Sequence, residues 1–155
     1  MPITAGEFQY MSAGSGVMHS GSNLSATEPA HLLQIWITPD QPGGDPAYAD
    51  MDTNALKQRN ALTWFASGNG RDGSVKMRQN AEIYFGQISA DRSITHDITS
   101  SLPHAWIQMI KGSLKRGNST LHAGDRASLD DAAINNTGLH LLAESDSEFL
   151  LFLLA

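Results

Sequence analysis

The feature that most constrains this chain is its punctuation. Short apolar segments recur at close spacing and are cut each time by Gly, Asn, Asp, Ser or Pro, while signals for helix are scarce. Chains of this kind close into β-sandwiches or β-barrels rather than helical or doubly wound folds. Glu7 to Met11 alternates polar and large residues, Val17 to Ser20 makes a second short segment, and His31 to Ile37 reads as a half-buried to buried strand. Thr38 to Pro46 then holds three prolines and two glycines. It cannot continue a sheet and reads as a linker.

Beyond the linker, strand segments follow at Leu62–Ser67, Val75–Arg78, Ala81–Ser89, Ile94–Ile98, Ala105–Lys111, Ser113–Arg116, Arg126–Leu129, Leu139–Glu144 and Glu148–Leu154. Ile83, Phe85 and Ile88 are expected to face inward. Gly117-Asn118 has the chemistry of a hairpin turn. Tyr48 to Arg59 is the one segment expected to form a short helix. The set after the linker is enough to close a small barrel or jelly roll. Trp64, Phe65, Trp106, Ile107, Ile110, Leu141, Phe149, Leu151 and Leu153 are the expected core.

Composition narrows the function classes. At 155 residues and 41% hydrophobic, the chain suits one domain or two small ones sharing a core. Ten Lys and Arg against sixteen Asp and Glu give a formal charge of -6, which does not attract a phosphate backbone, so direct nucleic-acid binding is not expected. The absence of cysteine removes disulfides, thiolate metal sites and thiol nucleophiles together. The N-terminal residues lack the basic and apolar regions of a signal peptide. The longest apolar run, Phe149 to Ala155, is too short to span a bilayer. A soluble, cytoplasmic protein is the expectation.

The richest segment for chemistry runs from Gly6 to Asn23. It opens Gly-acidic, runs one strand, turns on Gly14 and Gly16, and is expected to return as a strand that carries His19 toward a barrel interior. Gly16-x-x-His19-x-x-x-Asn23 resembles the second sequence motif of the cupin fold. Ala5-Gly6-Glu7-Phe8-Gln9-Tyr10-Met11-Ser12-Ala13-Gly14-x-Gly16-Val17-x-His19-Ser20, followed by Leu33-Gln34-Ile35-Trp36-Ile37, is similar to the pirin family of two-barrel cupins. Weaker similarity continues through Arg71-Asp72-Gly73-Ser74, Ile107 to Gly112 and Ala143 to Glu148.

The resemblance implies an all-β, cupin-like jelly-roll fold. Residues 1–38 are expected to form the second half of an N-terminal barrel, 39–60 a linker, and 61–155 a complete C-terminal barrel. It also implies a metal site of a His-x-His pair from an earlier strand plus a His and a Glu spaced as His-Ser-Glu. Here only His19 matches a ligand position: the earlier strand with the His-x-His pair is missing, and Gly21 stands where the carboxylate belongs. A single imidazole does not hold Fe(II) or Ni(II); about three or more ligands must converge. His19 therefore reads as an interior histidine satisfied by a hydrogen bond rather than a sufficient metal site.

The C-terminal barrel offers no replacement in phase. Anchored on Gly112, the expected Glu falls at Ala105 and the histidines at Thr99 and Ser101, or at Ile98 and Ser100. His96 and His104 lie near but out of phase. Asp130-Asp131 and Asp50-x-Asp52 read as solvated loop carboxylates. The family implies either a quercetin 2,3-dioxygenase using a divalent transition metal (Fe, Ni, Cu or Mn) on a flavonol, or a binding protein. The expectation here is a pirin-like protein without dioxygenase activity as it stands and with no cofactor. The alternative is an oxidoreductase whose missing ligands come from a longer native chain or a partner chain. An apolar face bearing Phe8, Tyr10, Val17, Leu33, Ile35 and Trp36 is expected to drive a homodimer through the open half-barrel.

Overall fold

A computed structural model describes residues 2–98, 101–129 and 138–155. Twelve strands and one short 3-10 turn make up the described chain. A two-stranded antiparallel sheet pairs β1 (Glu7–Ser12) with β2 (Ala47–Asp52). A six-stranded sheet holds β3 (Ala61–Ser67), β4 (Val75–Lys76), β5 (Ala81–Ile88), β7 (His104–Lys111), β10 (Arg126–Leu129) and β12 (Ser147–Leu154), in the order β10-β7-β12-β5-β3-β4. A four-stranded sheet completes the barrel, with β6 (Ser93–His96), β8 (Ser113–Arg116), β9 (Ser119–His122) and β11 (Leu139–Ala143) in the order β6-β11-β8-β9. The architecture is all-β and cupin-like, as the strand punctuation requires. No helix among the described residues is long and apolar enough to cross a membrane.

β12 explains how the layers stack. Its sequence, SEFLLFLL, is a continuous apolar run, and such a strand must be covered on both faces. It sits between β5 and β7 at the centre of the large sheet. Phe149, Leu151 and Leu153 point into the barrel and join Ile107, Met109, Leu114, Leu139 and Leu141. Leu150 and Phe152 point outward, into a second core with Phe65, Met77, Ile83 and Phe85. The β1–β2 pair covers that outer core with Phe8, Tyr10, Ala49 and Met51. Phe8 lies 5.5 Å from Phe65 between ring centroids, and Phe65 stacks on Phe85 at 5.4 Å.

Two backbone details set which side chains face the barrel. The register of β3 against β5 slips between Trp64 and Ala66. This bulge puts Phe65 and Ala66 together on the outer face and leaves Trp64 inward, opposite Tyr84. In β5, Gly86 stands across from Phe149, and a Cβ at that position would overlap the Phe149 ring. The glycine is there to admit the ring.

Several local expectations fail, each because pairing overrides local pattern. Ala47–Asp52 is a strand, not part of a helix over Tyr48 to Arg59, since β1 needs a partner along one edge and takes this one. Val17 to Ser20 and His31 to Ile37 are not strands; among the described residues no strand pairs with them. Ile83 and Phe85 face the outer core, not the barrel interior. Trp106 and Ile110 are partly buried against that same outer core. Phe8 and Tyr10, expected on an open face, are partly buried there as well. Asp130 and Asp131, with Thr99 and Ser100, lie outside the described residues.

Candidate functional site

His19 stands on the stretch between β1 and β2, which contains no strand or helix. The glycine turn itself forms, with the Gly16 amide donating to Ala13 O at 2.9 Å and the Ser15 amide donating to Gly44 O at 2.8 Å. Past it the backbone has no strand to pair with, so His19 is exposed rather than turned into a barrel. Apolar residues of the same stretch share that fate: Met18 is 99% exposed, Trp36 87% and Leu24 81%. Gly21 carries no side chain in open space. Among the described residues no group of three or more His, Asp or Glu is gathered as a metal would require. The donor set here therefore does not fit the four-ligand site that the motif resemblance implies.

A different cluster forms where the two barrel sheets part. β3 contributes Leu62 and Trp64, β5 contributes Glu82 and Tyr84, and β6 contributes Ile94 and His96. Period-two alternation along β5 brings Glu82, Tyr84 and Gly86 to one face. The same alternation carries Ile94 and His96 inward from an edge strand. Between β3 and β6 lies a cavity of about 490 Å³, lined by Leu62, Trp64, Tyr84, Ile94 and His96 with Asn60, Ser93 and Thr95 among its polar residues.

Its electrostatics are specific. Glu82 is buried, yet both its oxygens are engaged: Tyr84 Oη donates to Oε2 at 2.8 Å, and Arg71 Nη1 reaches Oε1 at 3.3 Å. The Arg71 guanidinium also lies over the Trp64 ring, 5.2 Å from its centroid. Burial first, and then the hydrogen bond to Glu82 and that residue's charge, push the Tyr84 phenol far above its ordinary range. Tyr84 is a fixed donor. Trp64 packs on Tyr84 at 4.3 Å between centroids, and His96 and Tyr84 meet in a T-shaped contact at 5.0 Å. Burial lowers the His96 imidazole below the usual histidine value, against smaller opposing effects of Glu82 and Asp97. The Nε2 atom of His96 is buried and has no hydrogen-bond partner among the described residues.

Sequence reasoning set His96 aside because it is out of phase with the cupin metal motif. The signal that would have found it is the alternation Ile94-x-His96 on an edge strand. Glu82 gave a second signal, as a carboxylate within the apolar run of β5.

The chain's relatives agree with its architecture. The family described as Quercetinase C-terminal cupin domain matches residues 64–154, and the family described as Pirin matches residues 1–37. Quercetin 2,3-dioxygenase of Escherichia coli O157:H7 is 39% identical over 152 residues, covering 97% of this chain and 62% of that protein. The enzyme of the same name from Escherichia coli K12 is 38% identical over 151 residues, with the same coverage of 97% and 62%. The crystal structure of the bacterial pirin YhhW from Escherichia coli in complex with nickel(II) superposes with a TM-score of 0.86 at 36% identity, covering 97% of this chain and 62% of that one. The chain thus spans about three fifths of the length of these relatives. With both family matches and a superposition over 97% of its length, the chain belongs to the pirin family of cupins.

Proposed function

We propose that this chain by itself is a pirin unit with a binding role, without metal-dependent dioxygenase activity. The observation that carries the reading is His19: the one residue at a family ligand position is exposed, on a stretch without regular structure, and is followed by Gly21 in place of a carboxylate. Mononuclear Fe, Ni, Cu or Mn sites need about three or more converging ligands, deprotonated and preorganised. Elemental analysis of the purified chain tests it. The expected result is substoichiometric metal; one equivalent of Fe, Ni, Cu or Mn overturns the proposal. Gly21→Glu alone should give no flavonol cleavage above free metal, since two ligands remain too few.

A second reading is favoured by the relatives named quercetin 2,3-dioxygenase and by the uncovered apolar side chains around His19. In it, His19 serves a flavonol-cleaving site whose other ligands come from a longer native chain or from a partner chain. That reading predicts metal uptake only when such residues are supplied together with this chain, and then a flavonol-like substrate. As partner for this chain alone we propose a second copy, joined through residues 17–37, where Met18, Leu24, Leu32 and Trp36 stand open to solvent. A cytoplasmic setting is part of the same proposal.

A further inference from the structure

The cavity between β3 and β6 belongs to the C-terminal barrel, apart from the stretch that carries His19. Its volume of about 490 Å³ falls within the range of small-molecule sites, about 300–1,000 Å³. Its lining joins an aromatic and aliphatic side, Leu62, Trp64, Tyr84 and Ile94, to a polar side of Asn60, Ser93, Thr95 and His96. One of its polar atoms, Nε2 of His96, is buried and has no hydrogen-bond partner among the described residues. Buried polar atoms are nearly always hydrogen-bonded, and leaving one unmet costs free energy. An occupant that meets this atom removes that cost.

Three observations define the occupant. The Trp64 and Tyr84 rings, 4.3 Å apart at an interplanar angle of 39°, offer an aromatic surface that suits a flat ring. Both oxygens of the nearby Glu82 are already taken by Tyr84 and Arg71, so that carboxylate is not free to recruit a cation. The Arg71 guanidinium is likewise taken by Glu82, and the lining carries no Lys or Arg, so nothing there recruits an anion. An uncharged ring remains, with a single polar group on its rim to meet the imidazole.

We propose that this cavity binds a small, flat, uncharged aromatic molecule that packs against Trp64 and hydrogen-bonds Nε2 of His96 through one rim hydroxyl or ring N–H. The selectivity follows from the lining. An apolar ring of the same size gains the packing but not the hydrogen bond, and a carboxylated one loses its hydration without a cation in the lining to pair with.

The probes are 2-naphthol, naphthalene and 2-naphthoate, titrated into the full chain with Trp fluorescence as readout. Saturable quenching is expected for 2-naphthol, weaker binding for naphthalene, and none for 2-naphthoate. His96→Leu should weaken 2-naphthol about tenfold, the scale of one hydrogen bond, and leave naphthalene unchanged. If that variant fails to fold, the unmutated chain still decides: its His96 side-chain nitrogen signals in a ¹H–¹⁵N spectrum must shift on adding 2-naphthol, and saturate with the fluorescence. No saturable binding up to about 1 mM overturns the proposal, because water alone then satisfies Nε2. Equal binding of 2-naphthol by the protein and by His96→Leu, or preference for 2-naphthoate, overturns it too. None of these outcomes depends on metal content, so they stand apart from the test of His19.

Discussion

The Tyr84 hydroxyl donates a 2.8 Å hydrogen bond to Glu82 Oε2, two residues back on the same strand and the same face. That bond and the Arg71 pair together engage both oxygens of a buried carboxylate. Tyr84→Phe removes the donor and leaves an acceptor short of a partner. The variant should lose about 1–3 kcal/mol in urea unfolding, as a shift in midpoint at unchanged slope. An unchanged midpoint would show that water replaces the phenol at no cost.

Gly86 faces Phe149 across the β5–β12 ladder, and a methyl group there would overlap the ring. Phe149 is fully buried and has nowhere to retreat. Gly86→Ala should therefore destabilise by about 1–3 kcal/mol or more through overpacking. Gly21→Ala, in open space, is the control and should stay within about 0.5 kcal/mol. Equal melting temperatures for the two variants would sink the argument.

The inner core should dominate stability. Phe149→Ala is expected to cost about 3–5 kcal/mol. Trp106→Ala should cost less despite the larger side chain, because Trp106 is only partly buried against the outer core. His19→Ala, at an exposed position, should fall within about 0.5 kcal/mol. Thermal melts of the three variants rank them, and a larger loss for Trp106 would relocate the core.

His96 gives a pH signature with a definite sign. Its imidazole, lowered mainly by burial, binds a proton less readily folded than unfolded. Stability should then fall as pH drops below the ordinary histidine value, about 6.5, toward the lower folded value, with the full loss below both. Melting temperature is expected to decline from pH 7 to pH 5, and to decline less in His96→Gln. Parallel curves for the two proteins would contradict this.

The open stretch around His19 should associate. Sedimentation equilibrium at low micromolar protein is expected to show a dimer or larger species, reduced by charges placed at Met18 and Trp36. A single 16.7 kDa species would defeat the second-copy proposal.

Much of the architecture was legible in the residues alone. Strand punctuation determined an all-β chain, because Gly, Pro and Asn break segments too short for helices to compete. The Gly6–His19 and Leu33–Ile37 patterns pointed to the pirin family, and Gly21 already stood where the family has a carboxylate. Tertiary structure decided what depends on partners. Ala47–Asp52 is a strand because it pairs with β1, whereas Val17–Ser20, with comparable local pattern, has no strand to pair with among the described residues and stays open. Which face of β5 is inside could not be read from a run apolar on both sides; the bulge after Trp64 and the room at Gly86 chose it. The cluster of Trp64, Glu82, Tyr84 and His96 comes from strands in two sheets, and no spacing in sequence encodes that meeting. A chain's periodicity records which residues share a face; only the pairing of strands, a long-range competition for backbone hydrogen bonds and buried area, determines what that face meets.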